Sequence, residues 1–307
     1  MQNALRHRTL WTCPKNAGIM PSGRVLQRRL AGALLWSVHT AGVGGAPGDR
    51  RKESFDVVSS DYARYRSGYP AEVVDDVVTA SRLCPGSRVL EIGCGTGQLS
   101  VPLAQRGAEL VAVELGPNLA AIARRSLAAF PDVQVEVSGF EEWPLPAEPF
   151  DAVVAASALH WIDPSVRLAK PARALKPGGA LVVVHTHHVK GGTPGFLSDT
   201  QPVYLRWGLS DDPFFEPPAP EDAPVIYPEL DESPDFERVQ RHRFEIPRRH
   251  TTDSYVGWLR TDSLVSSLGP KSRQGFLNDI AALIDNKYAG QVARNFLYEV
   301  AAAVRNP

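Results

Sequence analysis

The sequence predicts a doubly wound α/β fold, in which a largely parallel sheet is covered by helices on both faces. Nearly continuous apolar runs at residues 89–92, 110–113 and 150–156 indicate strands buried on both faces, and segments with helical periodicity separate them. The segment VLEIGCGTGQLS at residues 89–100 joins the first of these strands to a helix through a glycine-rich turn. In open α/β sheets, ligands bind at such a turn.

The first half of the domain is predicted to alternate helices with strands. Pro70 begins a helix that runs to residue 82 and presents valines on one face, and Gly107 follows a helix at residues 98–106. Strands are expected at residues 110–114, 133–137 and 150–156, with a helix at residues 117–129. The loop at residues 138–143 follows the third strand at the edge where a ligand is expected.

The second half is predicted to be less regular. We expect a helix at residues 166–175, a KPGG turn, a strand at residues 180–185, and an irregular, proline-punctuated lid at residues 190–234. A strand at residues 236–247 and helices at residues 252–268 and 270–286 follow. The pattern of residues 291–304 fits either a helix or a strand.

Composition limits the class of partner. The 307 residues can form one large α/β core, and 33 Lys and Arg balance 34 Asp and Glu. Because no basic excess marks the chain, we expect a small-molecule partner and no nucleic acid. No apolar run approaches the ~20 residues that cross a bilayer, so no membrane partner is predicted. Three cysteines without metal-ligand spacing favour a reducing, cytoplasmic location.

Residues 1–49 differ from the rest of the chain and are expected to form a flexible or extended leader, with a short helix possible at residues 25–36. Arg28 and Arg29 precede an apolar stretch as in a secretory signal. That stretch starts far from the N-terminus and contains Gly32, which disfavours export. Residues 50–307 are expected to form the domain, with cap and lid segments at about 54–70 and 190–268.

The glycine-rich turn indicates a cationic ligand. A dinucleotide fingerprint spaces its glycines G-x-G-x-x-G, whereas the third glycine here comes one residue early. Glu91 lies in the approach to the turn, where a carboxylate would repel phosphate but attract a cation. Glu114 ends the next strand, where a ribose with two free hydroxyls needs a carboxylate acceptor.

The motif E-x-G-x-G-x-G at residues 91–97 resembles the first motif of the class I S-adenosylmethionine (SAM) methyltransferases, whose cofactor carries a sulfonium and an ammonium. The K-P-G-G turn at residues 176–179 also resembles this family. Two further segments are similar to its trans-aconitate-type subgroup: D-Y-x-x-Y-R-x-x-Y-P at residues 61–70 and Y-V-x-W-L-R-T-D-S at 255–263. The resemblance implies a seven-stranded Rossmann-like sheet whose last strand, residues 291–304, is antiparallel. It also implies SAM as cofactor and S-adenosylhomocysteine (SAH) as product.

The predicted cofactor site combines the turn with residues that the resemblance adds. The tyrosines of the entry segment either cap the cofactor or pack on the sheet edge. Gly139 stands where many family members have an Asp for the adenine amino group, so we expect a contact from Phe140 instead. The predicted set is Tyr62, Arg66, Tyr69, Glu91, Gly93, Gly95, Gly97, Glu114, Leu115, Gly139, Phe140, Glu141, Ser157 and Leu159.

The acceptor site is expected beyond the fourth strand. His160 is the candidate general base, because its ordinary pKa of ~6.5 suits proton removal near neutral pH, although a structural histidine fits the pattern as well. Trp161 is expected to wall the pocket. A metal site is disfavoured at His185 and His187, which lack a partnering Cys or acid at suitable spacing, so we expect them beside the acceptor. Trp258, Arg260 and Thr261 complete the predicted acceptor site.

The function that we expect is SAM-dependent methyl transfer to a small molecule, with an aromatic or natural-product-like hydroxyl as acceptor. Esterification of a small carboxylic acid is the alternative, for which Arg64, Arg66 and Arg260 would pair with the carboxylate. A second alternative is a SAM-binding fold that organises another reaction, such as a cyclisation. A macromolecular substrate is disfavoured, since the domain carries no basic stripe.

Overall fold

A computed structural model describes residues 51–307, which form one seven-stranded sheet with helices on both faces. The expected leader and its short helix lie outside the described residues. The strands are β1 (Arg88–Ile92), β2 (Glu109–Glu114), β3 (Val133–Val137), β4 (Phe150–Ala156), β5 (Leu175–His188), β6 (Phe236–Thr251) and β7 (Gln291–Arg305). None of the helices described is long and apolar enough to cross a membrane.

The helices fall into a cap at the start of the domain, the helices between strands and a C-terminal group. The cap is α1 (Arg51–Val57) and α2 (Ser59–Tyr65), and α3 (Ala71–Ala80), α4 (Ser100–Gln105), α5 (Pro117–Ser126) and α6 (Ala169–Ala174) accompany the sheet. The lid segment contains α7 (Phe196–Arg206), and α8 (Thr252–Arg260), α9 (Ser263–Ser266) and α10 (Pro270–Tyr288) follow β6.

The strand order is β3-β2-β1-β4-β5-β7-β6. Strands β1 to β5 are parallel, and β7 inserts antiparallel between β5 and β6. The expected seven-stranded, doubly wound sheet and its antiparallel last strand are therefore confirmed. This order places the C-terminal ends of β1 to β5, the first half of β7 and the second half of β6 along one edge.

Alternation along the buried strands supplies two apolar cores. On β1, Val89 packs in the core with α3 and α10, whereas Leu90 and Ile92 pack on the other face with α6. Successive strand residues point to opposite faces, so a continuous apolar run is what a sheet covered on both sides requires. This arrangement confirms the reading of residues 89–92 as a strand buried on both faces.

Several predicted boundaries are wrong in ways that have local causes. The KPGG segment is not a separate turn, because β5 begins at Leu175 and residues 176–179 form a bulge between the pairs Phe150↔Leu175 and Ala152↔Ala180. The lid is more regular than expected, since α7 accommodates Pro202 within it. The helix expected at residues 252–268 is two helices, α8 and α9, because Asp262 is non-helical and caps the second.

Candidate active site

A cavity of about 330 Å³ lies at the edge of the sheet where the parallel strands end. The glycine turn after β1, the ends of β2 and β4, and the loop after β3 form one half of its wall. The histidine-rich end of β5, parts of β6 and β7, and α8 form the other half, and the cap helix α2 also borders it. The cavity therefore occupies the position at which open α/β sheets bind their ligands.

The glycine turn brings its backbone close to the cavity. Gly93 has φ +67°, and a Cβ atom there would lie 2.6 Å from the Cβ atom of Ala158. Gly95 has φ +58°, and its Cβ atom would lie 3.2 Å from the Gln98 side chain. Residues with a side chain rarely adopt a positive φ, so glycine is required at both positions for the backbone to come close to the cavity. Gly97 also has a positive φ but does not line the cavity.

Glu91 is a buried acid that faces the cavity without a full set of partners. Its side chain is 2% exposed, and its Oε2 atom has no hydrogen-bond partner. Burial raises the pKa of Glu91 to about 8, with a further rise from the neighbouring Glu114. An isolated buried carboxylate is unfavourable, and an ammonium group beside it would reverse the shift. The site thus fits the positively charged amino acid portion of SAM.

Glu114 supports the glycine turn from the end of β2. One oxygen, Oε2, accepts a hydrogen bond from the Gly95 amide at 2.8 Å, and Oε1 accepts from the Gly116 amide at 2.9 Å. Burial raises the pKa of Glu114, and these two bonds oppose the rise. A carboxylate accepts about four hydrogen bonds, so two remain for the hydroxyls of a ribose.

The cap segment covers the turn with tyrosine rings. Tyr69 donates to the Ser157 hydroxyl at 3.2 Å, and burial raises the pKa of Tyr69 well above its ordinary value. Arg66 lies over the ring of Tyr62 at 5.6 Å and donates through Nε to the Thr261 hydroxyl at 2.8 Å. All three predicted cap residues line the cavity, and Arg66 links the cap to the end of α8.

A buried lysine, Lys170, fixes the backbone of the loop after β3 through hydrogen bonds. Lys170 donates to the backbone oxygens of Glu141 at 2.8 Å and Trp143 at 2.6 Å. Its ammonium nitrogen lies 5.2 Å from the centre of the Phe140 ring, which lines the cavity and is 3% exposed. Gly139 and Glu141 also line the cavity, as does Leu115 beyond β2. The loop therefore presents a fixed apolar surface that fits the predicted adenine position.

The end of β4 is strained next to the candidate base. Ser157 has φ +53°, which is uncommon for a residue other than glycine, and such strain clusters at functional sites. The short 3₁₀ turn Leu159–Trp161 follows, with Leu159 fully buried in the core and outside the cavity wall. His160 lines the cavity, and its Nδ1 atom is buried without a hydrogen-bond partner.

The acceptor half of the cavity contains neutral histidines. Burial lowers the pKa of His160 to about 4, and the charge of Arg167 adds to the shift. Burial likewise lowers the pKa of His185 well below its ordinary value and that of His188 to about 3. The rings of His160 and His185 lie 5.8 Å apart. At neutral pH these imidazoles are uncharged and able to accept a proton.

His187 does not line the cavity, in contrast to the sequence expectation. Its Nε2 atom lies 3.5 Å from Oε2 of the fully buried Glu299. Burial alone raises the pKa of Glu299, but the hydrogen bond from His187 and the charge of Arg243 hold it below its ordinary value. The lid segment covers this carboxylate, since the Ile226 amide donates to it at 3.2 Å. His187 is therefore part of a buried polar network under the lid.

The predicted residues of α8 divide between two faces of the helix. Trp258 lines the cavity, whereas Arg260 does not, because two residues correspond to about 200° around a helix. Thr261 is fully buried and donates to the Trp258 carbonyl at 2.7 Å. Its role in the structure is to hold Arg66. The described residues contain no cluster of three or more His, Cys, Asp or Glu side chains that could hold a metal ion.

Sequence reasoning missed the residues that β6 and β7 contribute. These residues line the acceptor half of the cavity: Arg248, His250, Phe296 and Tyr298, together with His188 of β5. The His188 ring lies 5.5 Å from that of Trp258 and 5.3 Å from that of Phe296. The alternation of polar and apolar residues along β6 was the available signal, but it does not reveal which end of the strand meets the site.

Part of the chain is similar to known methyltransferases. Residues 89–179 match the profile of a methyltransferase domain. An uncharacterized methyltransferase of Mycobacterium bovis is 38% identical over 131 residues, which cover 43% of this chain and 51% of the relative. A ubiquinone biosynthesis O-methyltransferase of Xanthomonas campestris is 41% identical over 111 residues, 34% of this chain and 46% of the relative. The chain thus spans about half the length of these curated relatives.

Solved structures support the fold. A phosphoethanolamine N-methyltransferase of Haemonchus contortus, in complex with phosphomonomethylethanolamine and SAH, aligns with TM-score 0.50 and 17% identity. The alignment covers 84% of this chain and 59% of that one. The YcgJ protein of Bacillus subtilis aligns with TM-score 0.51 and 14% identity, over 78% of this chain and all of that one. At these identities the similarity concerns the fold.

Proposed function

We propose that this chain, a class I SAM-dependent methyltransferase, transfers the methyl group of SAM to a hydroxyl oxygen of a small aromatic or natural-product-like acceptor. The observation that carries the proposal is the composition of the cavity. One half offers a carboxylate, Glu91, with an unpartnered oxygen, and the other half is aromatic and contains uncharged histidines. The first half suits a cationic donor, and the second suits an aromatic acceptor whose reacting hydroxyl is uncharged.

When bound, SAM supplies an electrophilic methyl group on a positively charged sulfur. Glu91 would bind the ammonium group, and Glu114 would accept from the ribose hydroxyls with its two remaining lone pairs. The rings of Tyr62 and Tyr69 line this half of the cavity and would shield the bound cofactor from water. Most of the rate enhancement would come from holding donor and acceptor in line, which can contribute roughly 7–11 kcal/mol.

The acceptor would lie between the aromatic side chains of the other half. Trp161 and Trp258 provide flat apolar surfaces, and His160 lies next to Trp161 with ring centres 4.9 Å apart. The neutral imidazole of His160 would accept the hydroxyl proton as the oxygen forms its new bond to carbon. General base catalysis of this kind contributes about 10²–10⁴ to a rate.

Esterification of a carboxylic acid is less well supported by the arginines that were considered for it. Arg64 is 70% exposed and pairs with Asp253 at 3.8 Å. Arg66 donates to the hydroxyl and to the carbonyl of Thr261. Arg260 does not line the cavity. None of these three arginines is therefore available to pair with a carboxylate next to His160. This favours a hydroxyl as the methyl acceptor. The name of the Xanthomonas relative also favours oxygen as the methylated atom.

The test is methyl transfer from isotope-labelled SAM, with the full chain, to simple phenols and to benzoic acids without a hydroxyl. We expect label on the phenolic oxygen and none in methyl esters. His160→Gln should lower kcat by roughly 10², the lower end of the range for a general base, because the lowered pKa of His160 makes it a weak base. SAH should still bind, because only proton removal is lost. His242→Gln is the matched control, since His242 is exposed on β6 and contacts Asp76. Label in esters, or in no product, would contradict the proposal.

A further inference from the structure

A second, smaller cavity of about 90 Å³ adjoins the first. The two cavities share His188, Trp258, Asp262 and Leu264 in their walls. The smaller one extends from this shared wall between α7 and α8 toward the start of β7. We call it the side cavity. An elongated acceptor in the main cavity has this space next to its aromatic half.

A buried arginine lines the side cavity. Arg294 on β7 is 6% exposed, and its Nη1 atom donates to the Tyr255 hydroxyl at 3.1 Å. Its Nε atom is buried and has no hydrogen-bond partner. A guanidinium group stays charged in proteins, and an uncompensated buried charge is strongly unfavourable. An anion bound next to Arg294 would compensate this charge.

The charged and polar groups around Arg294 do not supply that anion. Asp262 borders the same cavity, but its Oδ1 atom caps α9 by accepting from the amides of Leu264 at 2.9 Å and Val265 at 3.3 Å. Within residues 51–307 no ion pair joins Arg294 to a carboxylate. Gln201 of α7 is a second unsatisfied group, since its buried Oε1 atom also lacks a partner.

The positive charge of Arg294 also acts on the shared wall. Burial is the main reason that the pKa of His188 falls to about 3 and that of His250 to about 4, and the charge of Arg294 contributes to both shifts. These imidazoles remain neutral, so they do not repel an anion. The side cavity thus places the positive charge of Arg294 beside neutral imidazoles, and Arg248, which lies opposite Arg294 in the pairing of β6 with β7, adds a second positive charge nearby. Asp262 is the acid in its wall, and it caps α9. The two guanidinium groups favour an anionic group in the cavity.

The position of Arg294 separates such an anion from the methyl acceptor. In the antiparallel pairing of β5 with β7, Glu299 lies opposite His185. Arg294 is five residues earlier on β7, which corresponds to about 17 Å along a strand. A group bound by Arg294 is therefore at the far end of the acceptor from the atom next to His160.

We propose that the side cavity binds a carboxylate of the acceptor through Arg294, so that the acceptor is a hydroxy acid methylated at a hydroxyl remote from its carboxylate. The Nε atom of the buried guanidinium has no hydrogen-bond partner, Arg294 lines the side cavity, and the planar guanidinium group matches the two oxygens of a carboxylate. The assignment of the methylated end rests on the proposed function. The carboxylate contact itself rests on Arg294 alone.

The experiment measures binding and not turnover. The full chain, saturated with SAH, is titrated by calorimetry with 4-hydroxybenzoate, 3-(4-hydroxyphenyl)propanoate and 5-(4-hydroxyphenyl)pentanoate, and with the amide of each. We expect at least one acid to bind roughly tenfold or more tightly than its amide, since a hydrogen-bonded buried charge pair is lost in the amide. Equal binding of acids and amides, or no binding of any acid, would overturn the proposal.

Substitutions of Arg294 test whether this residue makes the contact with the carboxylate. Arg294→Met should abolish the preference for the acid, Arg294→Lys should keep part of it, and SAH affinity should stay unchanged in both. Arg249→Met is the matched control, because Arg249 is exposed on the adjacent strand β6. A preference that survives Arg294→Met contradicts the proposal. If that variant does not fold, a crystal structure of the parent with SAH and the acid decides by whether the carboxylate contacts Arg294.

Different results would refute the proposed methyl transfer and the proposed carboxylate site. Acid binding that depends on Arg294, without methyl transfer to any hydroxyl, would refute the proposed function and leave the carboxylate site intact. Methyl transfer to phenols without any preference for acids would refute the carboxylate site and leave the proposed function intact.

Discussion

Binding of SAH should release a proton from Glu91. Burial raises the pKa of this carboxyl to about 8, so in the free protein at pH 7 about 0.9 of the molecules carry the proton. An ammonium group next to Glu91 favours the charged form and returns the pKa toward its ordinary value of 4.5. The proton then leaves, and binding at pH 7 should release about 0.9 proton, falling to about 0.5 at pH 8.

Calorimetry in buffers of different ionisation enthalpy measures this release directly. The sign follows from linkage, since a ligand that binds the ionised form binds more tightly as pH rises, here about fivefold from pH 7 to pH 8. Glu91→Gln should release no proton and lose the pH dependence. Glu109→Gln, at the exposed start of β2, should behave as the parent does. Release near zero in the parent, or unchanged release in Glu91→Gln, would refute the placement of the ammonium group.

Three further predictions concern the ribose, the base and the cap. Glu114→Gln should weaken SAH binding roughly tenfold or more, because hydrogen bonds to a charged acceptor are lost, and calorimetry with Glu109→Gln as control checks this. At saturating SAM and acceptor, kcat should persist from pH 7 to about pH 5 and fall to half near pH 4, where the imidazole of His160 protonates, and an inflection of kcat near 6.5 would contradict the buried setting. Gly257→Ala should destabilise the cap by about 1–3 kcal/mol and lower the thermal midpoint, since its methyl group would lie 2.4 Å from the Tyr65 ring. Gly269→Ala meets no atom within 4 Å and should cost less, about 1 kcal/mol at most, because Gly269 is the N-cap residue of α10.

The donor half of the site was predictable from sequence because it is local. Glu91 lies in β1, Gly93 and Gly95 follow that strand, and Glu114 ends β2, so strand position and glycine spacing suffice to bring them together. Residues 89–179, which contain this donor half, match the profile of a methyltransferase domain. The trans-aconitate type remains a resemblance of short segments.

The acceptor half was predicted less completely because it depends on long-range pairing. His188, His250 and Arg294 lie on three strands, and the insertion of β7 between β5 and β6 brings them together. No local sequence pattern specifies that insertion, so the burial of Arg294 could not be predicted from the sequence. Arg260 and Thr261 were adjacent to Trp258 in a suggestive motif, but helical geometry and the bond to Arg66 turn them away from the cavity.

We propose that one cavity binds SAM against the glycine turn and places its sulfur toward the half that is lined by aromatic side chains and histidines. A crystal structure of the chain with SAH tests it most directly. The account predicts the SAH ammonium group beside Glu91, the ribose hydroxyls on Glu114 and the sulfur facing His160. A ribose bound away from Glu114, or a sulfur that faces away from His160, would contradict it.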